Sequence, residues 1–178
     1  MRLSGMPGKQ INCRDLNKTR LAMADIQTLR RILKENKIIA IAGLSAQWHR
    51  PSNFAAKYMI DHGYAVIPVN PQYDEVLGQK CYKSLRDIPV HVDIVDCFRK
   101  AEDIPPLVDD AIAIGARVLW MQLGVVNEAA AEKARTAGLE VVMDRCVKIE
   151  HGRLFGGLNW AGVNTKIISA KRPRYLSY

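Results

Sequence analysis

The sequence predicts an α/β fold in which a doubly wound sheet of five parallel strands carries helices on both faces. Five short apolar runs have the length and composition of strands, and they start 22 to 28 residues apart. Helical patterns fill the intervals, and this alternation is typical of repeated strand–helix units with right-handed crossovers. Each run also ends in a cluster of small or polar residues. The predicted strands are Ile38–Ala42, Tyr64–Val69, Val92–Cys97, Arg117–Met121 and Leu139–Met143.

The intervals between the strands contain recognisable helix starts and stops. Asp25 precedes apolar residues at helical spacing, a pattern that ends near Asn36 and predicts the first helix. The next three helices each stop at a glycine, as helices commonly do. They are predicted from Pro51 to Gly63, over Pro105–Ile114 before Gly115, and over Asn127–Ala137 before Gly138. The segment Tyr73–Pro89 breaks the pattern and predicts a short helix or an irregular crossover.

Length and composition predict one soluble domain with a tail at each end. The chain has 178 residues, of which 48% are hydrophobic and 25% charged. We expect a basic tail over residues 1–24, a domain over 25–155, and over 156–178 a C-terminal arm or extra strand with a basic tail. No apolar run approaches the ~20 residues that span a bilayer, and the N-terminus lacks the apolar segment of a secretory signal. The sequence therefore predicts a cytoplasmic protein with no membrane partner.

The net charge of +8 comes from the ends of the chain. Residues 1–37 carry +6 and residues 166–178 carry +4, whereas residues 38–165 carry −2. Basic ends attract polyanions weakly and without sequence preference. They are also typical of solvated chain ends, and that simpler interpretation is favoured. No specific nucleic-acid site is predicted.

Cysteine and histidine indicate neither a metal site nor a catalytic group. The four cysteines are far apart, with no CxxC pair and no zinc-site spacing, which predicts free thiols in a reducing compartment. The four histidines show no triad arrangement. They are His49, His62, His91 and His151.

The cluster after the first strand predicts a phosphate site. Gly43-Leu44-Ser45 joins that strand to a helix, and such a turn leaves backbone N–H groups free for phosphate. Arg50 adds a cation that can form charge-assisted hydrogen bonds. A glycine at this turn also has a purely steric explanation. NAD is disfavoured, because the sequence lacks G-x-G-x-x-G and the second strand ends in Asn70-Pro71, where a carboxylate would bind the ribose.

Five segments, taken together, resemble the stand-alone CoA-binding domain family, over roughly residues 25–155. The resemblance extends to the CoA-binding domain of the succinyl-CoA synthetase α subunit. It implies a Rossmann-like fold with coenzyme A lying across the strand ends. The segments are Ile41-Ala42-Gly43-Leu44-Ser45, Val66-Ile67-Pro68-Val69-Asn70-Pro71, Val95-Asp96-Cys97-Phe98-Arg99, Trp120-Met121-Gln122-Leu123-Gly124-Val125 and Val142-Met143-Asp144-Arg145-Cys146.

The resemblance also assigns roles to twelve residues. It implies that Gly43, Leu44, Ser45 and Arg50 lie near the phosphates of CoA. It implies that Val69, Asn70 and Pro71 form one wall of the nucleotide pocket, with Phe98 and Arg99 opposite. Gln122, Gly124 and Cys146 would lie towards the pantetheine arm. One departure from the family pattern is the bulky Gln47-Trp48-His49 segment before Arg50.

These residues predict a protein that binds CoA or an acyl-CoA with no catalysis of its own. Succinyl-CoA synthetase uses a phosphorylated histidine in another domain, and nothing in this sequence corresponds to that domain. Two alternatives stay open: an NAD(P)- or nucleotide-dependent enzyme of Rossmann-like fold, and a weak nucleic-acid module acting through the basic tails. Assembly as a homo-oligomer or with an unidentified protein partner also stays open.

Overall fold

A five-stranded parallel sheet forms the centre of the protein, seen in a computed structural model that describes residues 25–156. The order of its strands is β2-β1-β5-β6-β7, with β3 and β4 forming a separate hairpin. The doubly wound α/β fold is therefore confirmed. The strands are β1 (Ile38–Ala42), β2 (Ala65–Val69), β3 (Glu75–Val76), β4 (Gln79–Lys80), β5 (Ile94–Cys97), β6 (Val118–Met121) and β7 (Glu140–Val142).

Five α-helices within residues 25–156 cover the two faces of this sheet. Three of them, α1, α2 and α5, bury apolar side chains against one face, in a core that includes Ile41 and Trp120. The other two, α3 and α4, bury side chains against the opposite face, which includes Ala40 and Leu119. No helix within residues 25–156 is long and apolar enough to cross a membrane. The helices are α1 (Ile26–Glu35), α2 (Pro51–Asp61), α3 (Ile104–Ala113), α4 (Glu128–Thr136) and α5 (Val147–Phe155).

The order of the strands reverses between β1 and β5, and this switch point positions the candidate site. The chain places β2 on one side of β1, then crosses to β5 on the other side. Ala42 at the end of β1 is in register with Val69 of β2 and Cys97 of β5. The loops that follow these strands therefore meet at one edge of the sheet. Ligands of open α/β sheets bind at such a switch point.

Between β2 and β5 the segment Tyr73–Pro89 contains a short helix, as predicted, and also a hairpin that was not predicted. Strands β3 and β4 form the hairpin, and a 3₁₀ helix at Leu85–Asp87 follows. Leu77 and Gly78, between the two strands, have φ values of 55° and 71°. A two-residue turn with positive φ at both positions is typical of a tight hairpin. Such turns usually have Asn, Asp or Gly at the first position, so the leucine found here did not indicate a hairpin.

The predicted N-terminal tail over residues 1–24 and nearly all of the predicted C-terminal arm lie outside the described residues. Inside them, the predicted strands are present but shorter by one or two residues at some ends.

At the start of β5 a side chain adds to the backbone hydrogen bonds between neighbouring strands. The carboxylate of Asp93 accepts hydrogen bonds from the backbone N–H groups of Lys37 and Ile38, each at 3.0 Å.

Candidate functional site

Gly43 lies where the loops after β1 and β5 come closest together. Its N–H donates to the carbonyl of Val69 at 2.8 Å, and its φ is +89°. A Cβ atom on Gly43 would lie 2.5 Å from the carbonyl oxygen of Phe98 and 3.0 Å from Nε of Arg99. Only glycine satisfies both the left-handed backbone and this close approach. The glycine thus allows the loops that follow β1 and β5 to lie in direct contact.

Two asparagines hold the loop that follows Gly43. The side chain of Asn53, on α2, donates to the carbonyl of Ser45 at 2.9 Å, and the side chain of Asn70 donates to the carbonyl of Leu44 at 2.9 Å. Asn70 Oδ1 also accepts from the N–H of Gln72 at 3.0 Å. Both polar ends of the Asn70 amide are therefore bonded to backbone, and this residue shapes the loop.

Arg50 stands at the N-terminus of α2, with Pro51 as the first helical residue. Its guanidinium is exposed, and Nε donates to Oε1 of Gln47 at 3.1 Å. Among the described residues, no side chain caps this helix end. A helix N-terminus carries partial positive charge, so an uncapped start beside an arginine favours an anion.

A polar cavity of about 350 Å³ lies between this loop and the end of β2. Of the residues predicted to form the site, five line it. They are Gly43, Ser45, Arg50, Asn70 and Phe98. The hydroxyl of Ser45 accepts from the N–H of Gln47 at 3.2 Å, and its own proton is left to donate towards a ligand. Gln47, Ser52, Gln72 and Tyr73 add further polar groups that the sequence analysis did not select.

A larger cavity of about 960 Å³ adjoins the polar one, and Phe98 and Pro51 line both. It runs along the ends of β5 and β6 and is bounded by the first turns of α2 and α5. Four of the predicted site residues line it, namely Phe98, Arg99, Gln122 and Cys146. The remaining lining residues are His49, Pro51, Phe54, Ala55, Lys100, Asp103, Leu123, Val125, Lys148 and Ile149.

A third, small cavity of about 150 Å³ lies on the other side of Gly43. Val69 and Pro71 line it, and so does Arg99. The predicted facing walls therefore occur as two separate pairings, with Asn70 and Phe98 around the polar cavity and Val69, Pro71 and Arg99 around the small one.

Two of the predicted site residues line none of these three cavities. Leu44 is fully buried in the core, so only its backbone contributes to the loop. Gly124 has a φ of +83°, and its N–H donates to the carboxylate of Asp144 at 2.7 Å. Both residues shape loops at the strand ends. Their predicted contact with a ligand stays a prediction.

A buried carboxyl group lies beside Gln122, and the sequence analysis did not select it. Asp96, on β5, is completely buried, and its Oδ1 accepts a hydrogen bond from Nε2 of Gln122 at 2.7 Å. Its Oδ2 has no hydrogen-bond partner within the described residues. Burial raises the pKa of Asp96 to about 7, and the Gln122 bond opposes that rise. Because Nε2 is used by Asp96, the amide oxygen of Gln122 is left for the cavity.

Cys146 is the thiol of the large cavity, and its surroundings make it a poor nucleophile. It stands at the N-terminus of α5 and is partly exposed. Burial raises its pKa, the Asp96 charge adds to the effect, and backbone N–H groups of α5 oppose it. Thiolates are the reactive form of cysteine, so a raised pKa disfavours nucleophilic chemistry.

Sequence reasoning missed the side chains that helices contribute to the cavities. Phe54 and Ala55 come from α2, and Lys148 and Ile149 from α5. Their sequence positions carry no site signal, since they look like ordinary helix residues. Asp96 did carry one, because a charged residue inside an apolar strand run needs an explanation.

Comparison with known proteins now decides the family. A family model described as CoA binding domain matches residues 37–152. The chain belongs to the CoA-binding domain family. That match spans more than half of the chain and includes every residue that lines the two adjoining cavities. The resemblance seen in the sequence is therefore confirmed.

Similar proteins include small ones of nearly the same length as the matched region. Protein YneT of Bacillus subtilis, whose name states no function, is 42% identical over 123 residues, which are 69% of this chain and 91% of YneT. A hypothetical protein of Pyrococcus horikoshii is 43% identical, with a TM-score of 0.74 over 76% of this chain and 96% of that one. A redesigned form of the PH1109 protein is also 43% identical, with a TM-score of 0.73 over 74% of this chain and 93% of its own.

A more distant relative is a large enzyme. The ADP-forming acetate–CoA ligase I of Archaeoglobus fulgidus is 26% identical over 121 residues, which are 62% of this chain. The matched region is only 18% of the ligase. The domain thus occurs both in small proteins and as part of a multidomain ligase.

Proposed function

We propose that this protein binds coenzyme A or an acyl-CoA across the ends of β1, β5 and β6, with no catalysis of its own. The observation that carries the proposal is the pair of adjoining cavities with opposite chemistry at the switch point of the sheet. CoA has the same division, because a phosphorylated nucleotide is joined to a long and mostly apolar pantetheine arm. Membership of the CoA-binding domain family supports the same ligand.

The polar cavity suits the phosphates of CoA. It combines the exposed guanidinium of Arg50, the hydroxyl of Ser45 and the uncapped start of α2. Each of these favours an anion, and an arginine can bind two phosphate oxygens at once. Arg99 and Lys100 bring two further cations to the neighbouring cavity. The charge of the site therefore suits a ligand with several phosphate groups.

The large cavity suits the pantetheine arm. Phe98 lies at the junction of the two cavities and offers an aromatic surface to the passing chain. Gln122 is oriented by Asp96 so that its amide oxygen remains available, and an arm with two amide N–H groups can donate to it. The thiol end of CoA would then lie towards Cys146, as the sequence resemblance implies.

Two observations support a binding role over an enzymatic one. The raised pKa of Cys146 disfavours a thiolate nucleophile. The small relatives match the domain over nearly their whole length, whereas the ligase contains much more chain. We propose that chemistry on CoA, where it occurs, is performed by other proteins.

Titration calorimetry of the full chain with CoA, NAD and ATP tests this proposal. We expect CoA to bind most tightly, and Arg50→Gln to weaken its binding tenfold or more, since a hydrogen bond to a charged group contributes ~1.5–3 kcal/mol. Arg117→Gln is the matched control, because Arg117 is exposed and pairs with Asp93 near the start of β6, away from the cavities. If NAD or ATP binds as tightly as CoA, the proposal is wrong.

A further inference from the structure

The large cavity has more apolar wall than the narrow pantetheine arm, with its two amide groups, can cover. Its volume of about 960 Å³ is at the upper end of the range for small-molecule sites. Seven of its lining side chains are apolar and come from four different parts of the chain. They are Pro51, Phe54, Ala55, Phe98, Leu123, Val125 and Ile149.

Apolar side chains are also exposed around this cavity. Phe54 is 47% and Ile149 39% exposed, and both line the cavity. Trp48 is 75% exposed, and its ring packs edge-on against Phe54 with centroids 6.4 Å apart. Three of the eight large apolar side chains that are exposed within residues 25–156 therefore gather at one opening. Such a patch marks a binding site for an apolar group.

Three cations and one carboxylate line the cavity, namely Arg99, Lys100, Lys148 and Asp103. The ammonium group of Lys148 lies over the rings of Phe54 and Tyr58, 5.9 and 5.7 Å from their centroids. The ammonium group of Lys100 lies 3.4 Å from the carboxylate of Glu102. Asp103 adds a negative charge to the lining. Because Arg99 and Lys100 are assigned above to the phosphates and Lys148 lies beside two aromatic rings, a carboxylate at the end of an acyl group would gain little from these cations.

We propose that the ligand is a CoA thioester with an aliphatic acyl chain longer than acetyl. The chain would extend from the thiol end of the arm and lie against Phe54, Val125 and Ile149. This inference rests on the proposed function, because it assumes that the phosphates occupy the polar cavity and that the arm passes Phe98. It adds the class of acyl group, which the division of CoA between two cavities does not specify.

A series of thioesters tests the inference. Calorimetry of the full chain would compare CoA with acetyl-, butyryl-, hexanoyl- and octanoyl-CoA, and with succinyl-CoA. We expect the affinity to rise about fourfold for each methylene that becomes buried, until the cavity is filled. Succinyl-CoA should bind more weakly than butyryl-CoA, which has the same number of acyl carbons.

Two variants on one helix show where the chain lies. Ile149→Gln should flatten the rise in affinity with chain length, when the affinity of each thioester is divided by that of free CoA for the same variant. Phe155→Gln is the matched control, since Phe155 is 43% exposed on the same helix but lines none of the cavities described above. It should leave the whole series unchanged.

Each outcome has one meaning. If free CoA does not bind, the proposed function fails and this inference fails with it. If CoA binds but the series is flat or falls with chain length, only the acyl inference is overturned. Tighter binding of succinyl-CoA than of butyryl-CoA would overturn the aliphatic assignment. If the series is flat and Ile149→Gln abolishes self-association in light scattering, the apolar opening binds a second copy of the chain instead.

Discussion

At the scale of single residues, Gly43 links the fold to the site. Its positive φ and its distance to Phe98 are independent requirements, and the protein provides a way to separate them. Gly138, after α4, has a φ of +92°, nearly the same as the +89° of Gly43, yet a Cβ there would meet nothing within 4 Å. The two positions therefore share the backbone strain and differ only in the close contact.

We predict that Gly43→Ala lowers the free energy of unfolding clearly more than Gly138→Ala does. The control should cost ~1–2 kcal/mol from the left-handed backbone alone. At Gly43 the new Cβ must also displace the carbonyl of Phe98, so CoA affinity should fall as well. Urea denaturation and calorimetry measure the two effects. Equal losses of stability, with CoA affinity retained, would mean that the strand ends are not tightly coupled.

The buried carboxyl group of Asp96 predicts an unusual dependence of stability on pH. Its pKa is about 7 in the folded protein and 3.8 as the reference value. The folded state therefore binds more protons between these pH values, and stability falls as pH rises from about 4 to 7. The difference in pKa corresponds to about 4 kcal/mol, at 1.36 kcal/mol for each pH unit.

We predict that the unfolding free energy of the Asp96→Asn variant increases relative to that of the natural protein as pH rises. Asparagine can keep the bond to Gln122 and carries no charge to bury, although its own NH₂ group would lack a partner at a ~1–3 kcal/mol cost. The difference in unfolding free energy should shift by about 3–4 kcal/mol in favour of the variant between pH 4 and pH 8. Denaturation without ligand measures this shift. If the unfolding free energies of the two proteins depend on pH in the same way, the pKa of Asp96 is not raised in the folded state.

At the scale of elements, most of the helices and strands follow from local sequence, and α5 does not. Its core-facing residues Val147, Glu150, His151 and Leu154 have helical spacing, but two of the four are polar. The hydrophobic pattern that reveals the other helices is therefore interrupted. The carboxylate of Glu150, which is fully buried, accepts hydrogen bonds from the guanidinium groups of Arg145 and Arg153, five residues before it and three after it. A hydrophobic periodicity does not reveal such a buried cluster of charges.

His151 connects α5 to α2. Its Nδ1 lies 3.1 Å from the hydroxyl of Tyr58, and its ring contacts those of His62 and Tyr64. Burial lowers the pKa of His151 to about 4, and the charges of His62 and Lys37 add to the effect. The folded state therefore binds fewer protons than the unfolded chain between about pH 6.5 and 4. Stability from this group is complete above pH 6.5 and is lost as pH falls towards 4.

We predict that His151→Phe is less sensitive to acid than the natural protein. Between pH 7 and pH 4 the variant should lose less unfolding free energy than the natural protein does. We expect this difference to be on the order of 1–2 kcal/mol, after discounting for solvent screening near the surface. Because Asp96 has the opposite pH dependence in part of this range, the test compares the variant with the natural protein at each pH. A constant difference from pH 7 to pH 4 would contradict the neutral, buried histidine.

The sequence predicted those residues of the candidate site that lie at or just after the ends of the strands. Eight of the twelve predicted residues line the two adjoining cavities, and Val69 and Pro71 line the small one. Leu44 and Gly124 lie in the predicted loops, but their side-chain roles depend on which way the chain turns. Phe54, Lys148 and Ile149 reach the cavity only because α2 and α5 pack on the same face of the sheet. That packing is tertiary information, so their roles could not be deduced from local pattern.

At the scale of the whole molecule, the excess of basic residues and the residues that line the cavities occupy different parts of the sequence. Residues 38–165 carry a net charge of −2, and the excess of positive charge lies in the terminal segments. We propose that the ends of the chain are dispensable for binding, because the residues that line the two adjoining cavities all lie between positions 43 and 149.

We predict that deleting residues 1–20 and 171–178 leaves the affinity for CoA within about twofold at 0.15 M salt. The deletion should reduce nonspecific retention on a polyanion column, because it removes basic residues. Calorimetry at two salt concentrations checks the first expectation. A loss of more than tenfold in CoA affinity would show that a terminal segment contributes directly to the site.

The central claim, that CoA lies across the strand ends at the switch point, is tested most directly by a crystal structure of the full chain with CoA. We expect the diphosphate within hydrogen-bonding distance of Ser45 and Arg50, and the pantetheine arm passing Phe98 towards Gln122 and Cys146. Density for CoA at any other surface, with these two cavities occupied only by solvent, would contradict the account.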